Sequence, residues 1–160
     1  MSRVANQEIA DFLKDLSVLM ELKGENAFRI RAYTNASRTF EMMEGNAEAM
    51  LAQGSLISIK GVGKGLAELV GEFVQTGTAR DYEELKASIP AGLLDMLRIQ
   101  GLGPKKIRSI HDKLGIDTLE TLEQACREDR LSSLSGFGAR TQENIIKGIE
   151  HLQRYQDRFR

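Results

Sequence analysis

Ile59-Lys60-Gly61-Val62-Gly63 decides the fold, because the chain writes the same phrase twice more, as Ile99-Gln100-Gly101-Leu102-Gly103 and Leu134-Ser135-Gly136-Phe137-Gly138. In each copy one apolar residue stands two places before the first glycine, another sits between the glycines, and an amphipathic helix pattern follows. Such a phrase predicts a tight hairpin, since its backbone must pass through positive φ and come close to whatever it binds. The helix behind it supplies N–H groups and a partial positive charge, so each phrase also predicts a small anion site, with phosphate as the natural occupant. A single G-x-G before a helix is only a turn. Three copies in the same apolar frame predict helix-hairpin-helix units. Other glycine motifs fail: Gly61 to Gly65 lacks a P-loop's Lys-Ser/Thr ending, and no strand precedes it as a dinucleotide fingerprint requires.

Working outward, the pattern is helical throughout. Ile9, Phe12, Leu13, Leu16, Leu19 and Met20 recur at three- and four-residue spacing and define one face of an N-terminal helix. Gly24-Glu25-Asn26 breaks it, and a second helix is predicted from Phe28 to Met43, carrying Ile30, Tyr33, Ala36 and Phe40. A short helix covers Ala47 to Gln53, and Ser55 is expected to cap a brief helical turn before the first hairpin. Leu66, Leu69, Val70 and Phe73 stripe the helix after it, Thr76-Gly77-Thr78 stops that helix, and Arg80 to Ser88 forms another. Beyond Pro90, Leu93, Leu94, Met96 and Leu97 lead into the second hairpin. Ile107, Ile110 and Leu114 leave it, with Gly115 as a C-cap. A helix from Leu119 to Arg127 precedes the third hairpin, and Ile145, Ile146, Ile149 and Leu152 stripe the last helix. Nothing alternates with period two for long enough to argue a sheet.

The expected fold is therefore all-α, in two small helical lobes built on helix-hairpin-helix motifs: residues 1–89 with one hairpin and 90–160 with two in tandem. The unequal intervals between hairpins argue against a solenoid. Val62, Leu102 and Phe137 should point back between the helices.

At 160 residues the chain is long enough to bury about two thirds of its unfolded surface without staples. Its one cysteine, Cys126, has no intrachain partner. Met1 to Leu16 does not run apolar like a signal peptide, and no stretch approaches the roughly 20 apolar residues of a membrane span. A soluble, cytoplasmic monomer with no membrane partner is expected. The net charge is −1, so positive charge must be concentrated locally if nucleic acid is the partner. From Phe28 to Arg38 the charged residues are Arg29, Arg31 and Arg38, and from Arg98 to Lys113 they are Arg98, Lys105, Lys106, Arg108 and Lys113 against Asp112. The acids gather in Glu41 to Glu48, Asp81 to Glu84 and Glu120 to Asp129. One basic run would be an ordinary solvated face; two, with one lying on a glycine hairpin, favour DNA.

The run from Met20 to Tyr33 (MELKGENAFRIRAY), with Gly61-Val62-Gly63-Lys64-Gly65, Gly101-Leu102-Gly103-Pro104-Lys105-Lys106 and Gly136-Phe137-Gly138 in that order, resembles the N-terminal portion of bacterial family X DNA polymerases, relatives of DNA polymerase beta. The resemblance runs from about residue 6 to the end. It implies an eight-kilodalton-type lobe that holds the 5′-phosphate side of a DNA gap, then a helical subdomain that holds the primer side. Family members polymerise with a palm whose aspartates include an Asp-x-Asp pair for two metal ions. This chain contains no Asp-x-Asp, and His111 and His151 are too few for the family's additional phosphoesterase centre. The expectation is an N-terminal piece or a free-standing relative that does not itself polymerise.

What the resemblance implies for the site is specific. Arg29 and Tyr33 match positions around the 5′-phosphate pocket, with Lys64 on the first hairpin beside it and Arg31 as a further DNA-binding candidate, although Tyr33 also reads as a core aromatic. Gly61, Gly63, Gly101, Gly103, Lys105 and Lys106 should meet DNA phosphates, without reading bases. Gly136 and Gly138 are candidates of the same kind, but Ala139-Arg140-Thr141 replaces the lysine pair, and this hairpin is expected mainly to pack the second lobe. Family hairpins also bind a monovalent cation, potassium or sodium. Alignment assigns its carbonyls to Ile57, Ile59 and Val62 in the first hairpin and to Leu97, Ile99 and Leu102 in the second. No other cofactor is implied. In eukaryotic relatives a lysine behind the first hairpin forms a Schiff base with an abasic sugar. Alignment puts Leu69 there, leaving Lys60 and Lys64 as substitutes.

Three functions follow from this reading. The first is sequence-nonspecific binding of gapped, nicked or 5′-phosphorylated DNA for a repair polymerase of base excision repair. The second is a 5′-deoxyribose phosphate lyase using Lys60 or Lys64. The third is a helical protein-interaction module with purely structural hairpins, whose binding would ignore salt.

Overall fold

The computed structural model describes residues 5–158, with side-chain surroundings through residue 154. Every regular element among these residues is helical. The chain divides into two compact units between Ser88 and Ile89.

The first unit holds α1 (Asn6–Lys23), α2 (Ala27–Glu41), α3 (Ala47–Ala52), a 3-10 turn at Leu56–Ser58, α4 (Lys64–Thr76) and α5 (Arg80–Ala87). The predicted α1 face, Ile9 through Met20, is buried throughout. Gly24 ends α1 in the left-handed region at φ 84°, and the Asn26 side chain then accepts from Phe28 N at 2.7 Å to start α2. α2 packs along α1 through Ala36 and Phe40, and Ser37 Oγ donates to the Ala10 carbonyl at 2.6 Å, which satisfies a buried hydroxyl. Asn6 fixes the connection to α3: its Nδ2 donates to Gly45 O at 2.6 Å and its Oδ1 accepts from Ala47 N at 2.9 Å. Phe12 stacks on Phe73 with centroids 4.2 Å apart and meets Tyr82 at 5.3 Å, so three aromatic rings join α1, α4 and α5.

The second unit holds α6 (Ala91–Met96), α7 (Pro104–Leu114), α8 (Leu119–Arg127), a 3-10 turn at Arg130–Ser133 and α9 (Ala139–Arg158). Its interior includes Leu93, Met96, Ile107, Ile110, Leu122, Leu131 and Ile149. Two glycines permit close packing here. A Cβ on Gly92 would lie 1.8 Å from the Asp117 carbonyl oxygen, and one on Gly148 would lie 2.8 Å from Ile99 Cγ2. Gly115 closes α7 at φ 67°, and Thr118 caps α8 by accepting from Thr121 N at 3.1 Å.

Two local expectations need correction. Ser55 stands before the 3-10 turn, but its hydroxyl does not cap it; it donates back to the Met50 carbonyl at 3.2 Å, closing the end of α3. α2 stops at Glu41, not Met43. Met42 adopts φ −94°, ψ 1° and is 81% exposed, so the chain turns before its side chain can join the buried face.

Candidate nucleic-acid interface

The three glycine phrases form the same turn. Val62 N–H donates to the Ile59 carbonyl at 3.0 Å, Leu102 N–H to Ile99 at 3.1 Å, and Phe137 N–H to Leu134 at 3.2 Å. The first glycine of each copy lies in the left-handed region, at φ 90° for Gly61 and 86° for both Gly101 and Gly136. A side chain there would cost about 1–2 kcal/mol. Val62, Leu102 and Phe137 are each 4% exposed, so the tip residue is the anchor of the hairpin. The frame extends one step further back than the phrase itself. Leu56, Met96 and Leu131, three residues before Ile59, Ile99 and Leu134, are fully buried, and the same i to i+3 turn precedes each hairpin. A three-residue apolar period before each glycine pair was the available signal.

The second glycine has a different reason. Gly63 (φ −85°, ψ −179°) and Gly103 (φ −85°, ψ 173°) are extended, a conformation any residue adopts, and no atom lies within 4 Å of the place a Cβ would take at Gly63, Gly103 or Gly138. Neither backbone strain at Gly63 and Gly103 nor crowding at any of the three demands glycine. What glycine leaves there is bare backbone facing open space at the start of α4, α7 and α9.

Leaving aside α6, whose first turn is uncharged, charge at the helix starts divides in two. α1, α3, α5 and α8 carry an acid in their first turn, Glu8, Glu48, Asp81 and Glu120, as the helix dipole favours. α2, α4, α7 and α9 have no acid there and carry Arg29, Lys64, Lys105 with Lys106, and Arg140 instead. A cation at a helix N-terminus opposes the dipole, so these four ends forgo local stabilisation and keep a positive field toward solvent. Three of them are the helices behind the glycine hairpins.

The predicted site residues fall into separate places. Arg29 and Tyr33 border one cleft of about 330 Å³, and Leu69, at the position expected of a nucleophilic lysine, lines the same cleft while only 6% exposed. Tyr33 is half-buried: its ring packs against the core of its unit and also lines the cleft. Three carboxylates that the sequence reading did not place there, Glu25, Asp81 and Glu84, line the cleft too. Arg31 points its guanidinium over the exposed Phe28 ring at 5.7 Å. Lys64 is not among the cleft's lining; it borders a shallow groove with Leu51, Ile57, Ala67, Glu68 and Glu72. Lys60 is exposed on the hairpin turn. In the second unit Lys105 is exposed at the start of α7, while Lys106 is half-buried with its ammonium 5.7 Å from the Phe137 ring centroid. Gly61, Gly63, Gly101, Gly103, Gly136 and Gly138 are all exposed at their hairpins.

The hairpins are also what known families share with this chain. Residues 4–79 match a helix-hairpin-helix domain profile, and residues 93–150 match the profile of a SAM-like helix-hairpin-helix tandem. A protein of Bacillus subtilis (strain 168) named DNA polymerase/3'-5' exonuclease PolX is 31% identical over 153 residues, which cover 96% of this chain and 26% of that protein. The chain thus spans about a quarter of this relative's length. With its helix-hairpin-helix units in the expected order and this relative aligned along nearly all of it, the chain belongs to the helix-hairpin-helix region of the bacterial family X DNA polymerases.

Proposed function

We propose that the chain binds DNA through its phosphate backbone, without sequence preference, as the DNA-holding part of a family X repair polymerase, and that its preferred substrate is a gap or nick bearing a 5′-phosphate. The observation that carries this reading is the pairing of bare glycine backbone with a base-only first turn at α4, α7 and α9. Helix N-termini of this kind suit phosphate oxygens and have nothing to offer a base edge. Arg29 and Tyr33 are assigned to the terminal phosphate, Lys64, Lys105 and Lys106 to backbone phosphates, and Gly136 with Gly138 to a third contact. The relative's name attributes polymerase and exonuclease activity to that longer protein; for this chain the same reading assigns substrate holding.

We assign a monovalent cation to the same hairpins. The Ile59 and Ile99 carbonyls each accept one hairpin N–H and have a second lone pair. With Ile57 and Val62 in the first hairpin, and Leu97 and Leu102 in the second, they form the assigned potassium or sodium ligand sets. The cation would bridge hairpin and phosphate. The lyase reading has less support: among the described residues Leu69 lines the cleft and neither Lys60 nor Lys64 does.

The test is titration at several salt concentrations against duplex, single strand, a one-nucleotide gap with a 5′-phosphate and the same gap without it. Expected are tightest binding to the phosphorylated gap, loss of that preference in Arg29→Ala, and a log–log salt slope of about −0.9 per phosphate contacted. Binding that ignores salt, or none at all, would turn the assignment to a protein-interaction module.

A further inference from the structure

The cleft that holds Arg29 and Tyr33 carries more acid than base. Arg29 is the one base among its described lining residues, and Glu25, Asp81 and Glu84 give it three carboxylates. Two of these, Asp81 and Glu84, lie three residues apart on α5, so one helix face presents both to the same space. The third pairs with the base itself: Glu25 Oε2 lies 3.9 Å from Arg29 Nη1, with side-chain exposures of 35% and 54%. An ion pair this long and this wet is worth little, so an incoming phosphate can take the guanidinium from Glu25. The phosphate must still approach past three like charges.

We propose that Glu25, together with Asp81 and Glu84, is a specificity determinant that holds down the preference for a terminal phosphate, making the 5′ end loosely held and readily released. This inference rests on the assignment of Arg29 to that phosphate. The carboxylates act in two ways. Glu25 competes with the phosphate for Arg29, and Asp81 and Glu84 lower the local potential that a dianion meets. The hairpins hold the rest of the DNA, so overall affinity and terminal-phosphate preference are set by different residues.

The experiment measures the ratio of affinities for a phosphorylated and an unphosphorylated one-nucleotide gap, which cancels the contribution of the hairpins. Glu25→Gln and the pair Asp81→Asn/Glu84→Gln are the variants, with Arg29→Ala as the reference. All are substitutions of solvent-facing side chains that need no repacking. The expected result is a ratio raised about two- to fivefold by Glu25→Gln, and by a similar factor in the α5 pair. A ratio that stays the same or falls in Glu25→Gln overturns the inference, because Glu25 would then be indifferent or would position Arg29 for the phosphate. If Arg29→Ala itself leaves the ratio unchanged, the assignment of Arg29 fails and the inference with it; if Arg29→Ala collapses the ratio while the carboxylate variants do not raise it, the inference fails alone.

Discussion

The ammonium of Lys106, in the first turn of α7, lies 5.7 Å from the centre of the Phe137 ring, the buried tip of the third hairpin. One lysine of the pair behind the second hairpin is thus spent partly on joining two hairpins, while its neighbour Lys105 is exposed. The two should separate on substitution. Lys105→Gln is expected to reduce the salt slope of DNA binding by about 0.9 and leave thermal unfolding unchanged. Lys106→Gln is expected to reduce the slope similarly and also to lower the melting temperature of the second unit by about 2–8 °C, for a cation–π contact worth about 0.5–1 kcal/mol. Equal melting temperatures for the two variants would contradict this.

Within the second hairpin, Gly101 and Gly103 serve different purposes. Gly101 sits at φ 86°, so Gly101→Ala is expected to cost about 1–2 kcal/mol in urea unfolding. Gly103 is extended with open space around it, so Gly103→Ala should leave stability unchanged or raise it by up to about 1 kcal/mol. The same substitution should weaken DNA binding about 2- to 10-fold, because a methyl group then stands where a phosphate must approach the N–H groups. A destabilised but fully binding Gly103→Ala protein would refute the assignment.

Gln142 is only 3% exposed. Its Oε1 accepts from Leu131 N at 3.2 Å, and its Nε2 donates to Asp129 Oδ1 at 2.6 Å, where Asp129 holds a left-handed φ of 59°. Ile107 fills the equivalent position after the second hairpin, so a polar residue here is tied to the turn at Arg130–Ser133. Gln142→Ala should cost about 1–3 kcal/mol by leaving a buried N–H without its partner. Chemical denaturation reads this directly, and an effect below about 0.5 kcal/mol would show that the network contributes nothing.

Cys126 is buried, and burial together with the nearby Glu123 pushes its thiol from 9.0 to about 11. Between these values the unfolded chain has lost the proton and the native protein keeps it. The thiol's contribution to stability is therefore complete below about pH 9 and declines as pH rises toward 11. At pH 8 a thiol-specific reagent should modify the native protein far more slowly than the urea-unfolded chain. Equal rates would place the sulfur at the surface.

Much of this architecture is legible along the chain because its constraints are short in range. A glycine that must reach positive φ, an apolar tip residue and a helix that starts two places later all lie within one pentapeptide, so Gly61, Gly101 and Gly136 can be located without knowing their neighbours. The α1 face from Ile9 to Met20 is readable for the same reason, since 3.6-residue periodicity is a property of one segment. The role of the Ser55 hydroxyl and the end of α2 are less legible, because a serine hydroxyl can serve either the turn after it or the helix before it, and no glycine or proline marks the stop at Glu41.

The sequence by itself determined an all-helical chain with three glycine hairpins and bases at the helix starts behind them, because backbone dihedrals and helix-terminal charge are set by residues a few positions apart. Only the tertiary structure decided the character of the Arg29 cleft: α5 brings Asp81 and Glu84 to it from some 50 positions along the chain, Leu69 closes it, and Lys64 borders a different groove. The charge of a cleft is a sum over whatever folding brings within a few ångströms, and no local pattern along the chain records that sum.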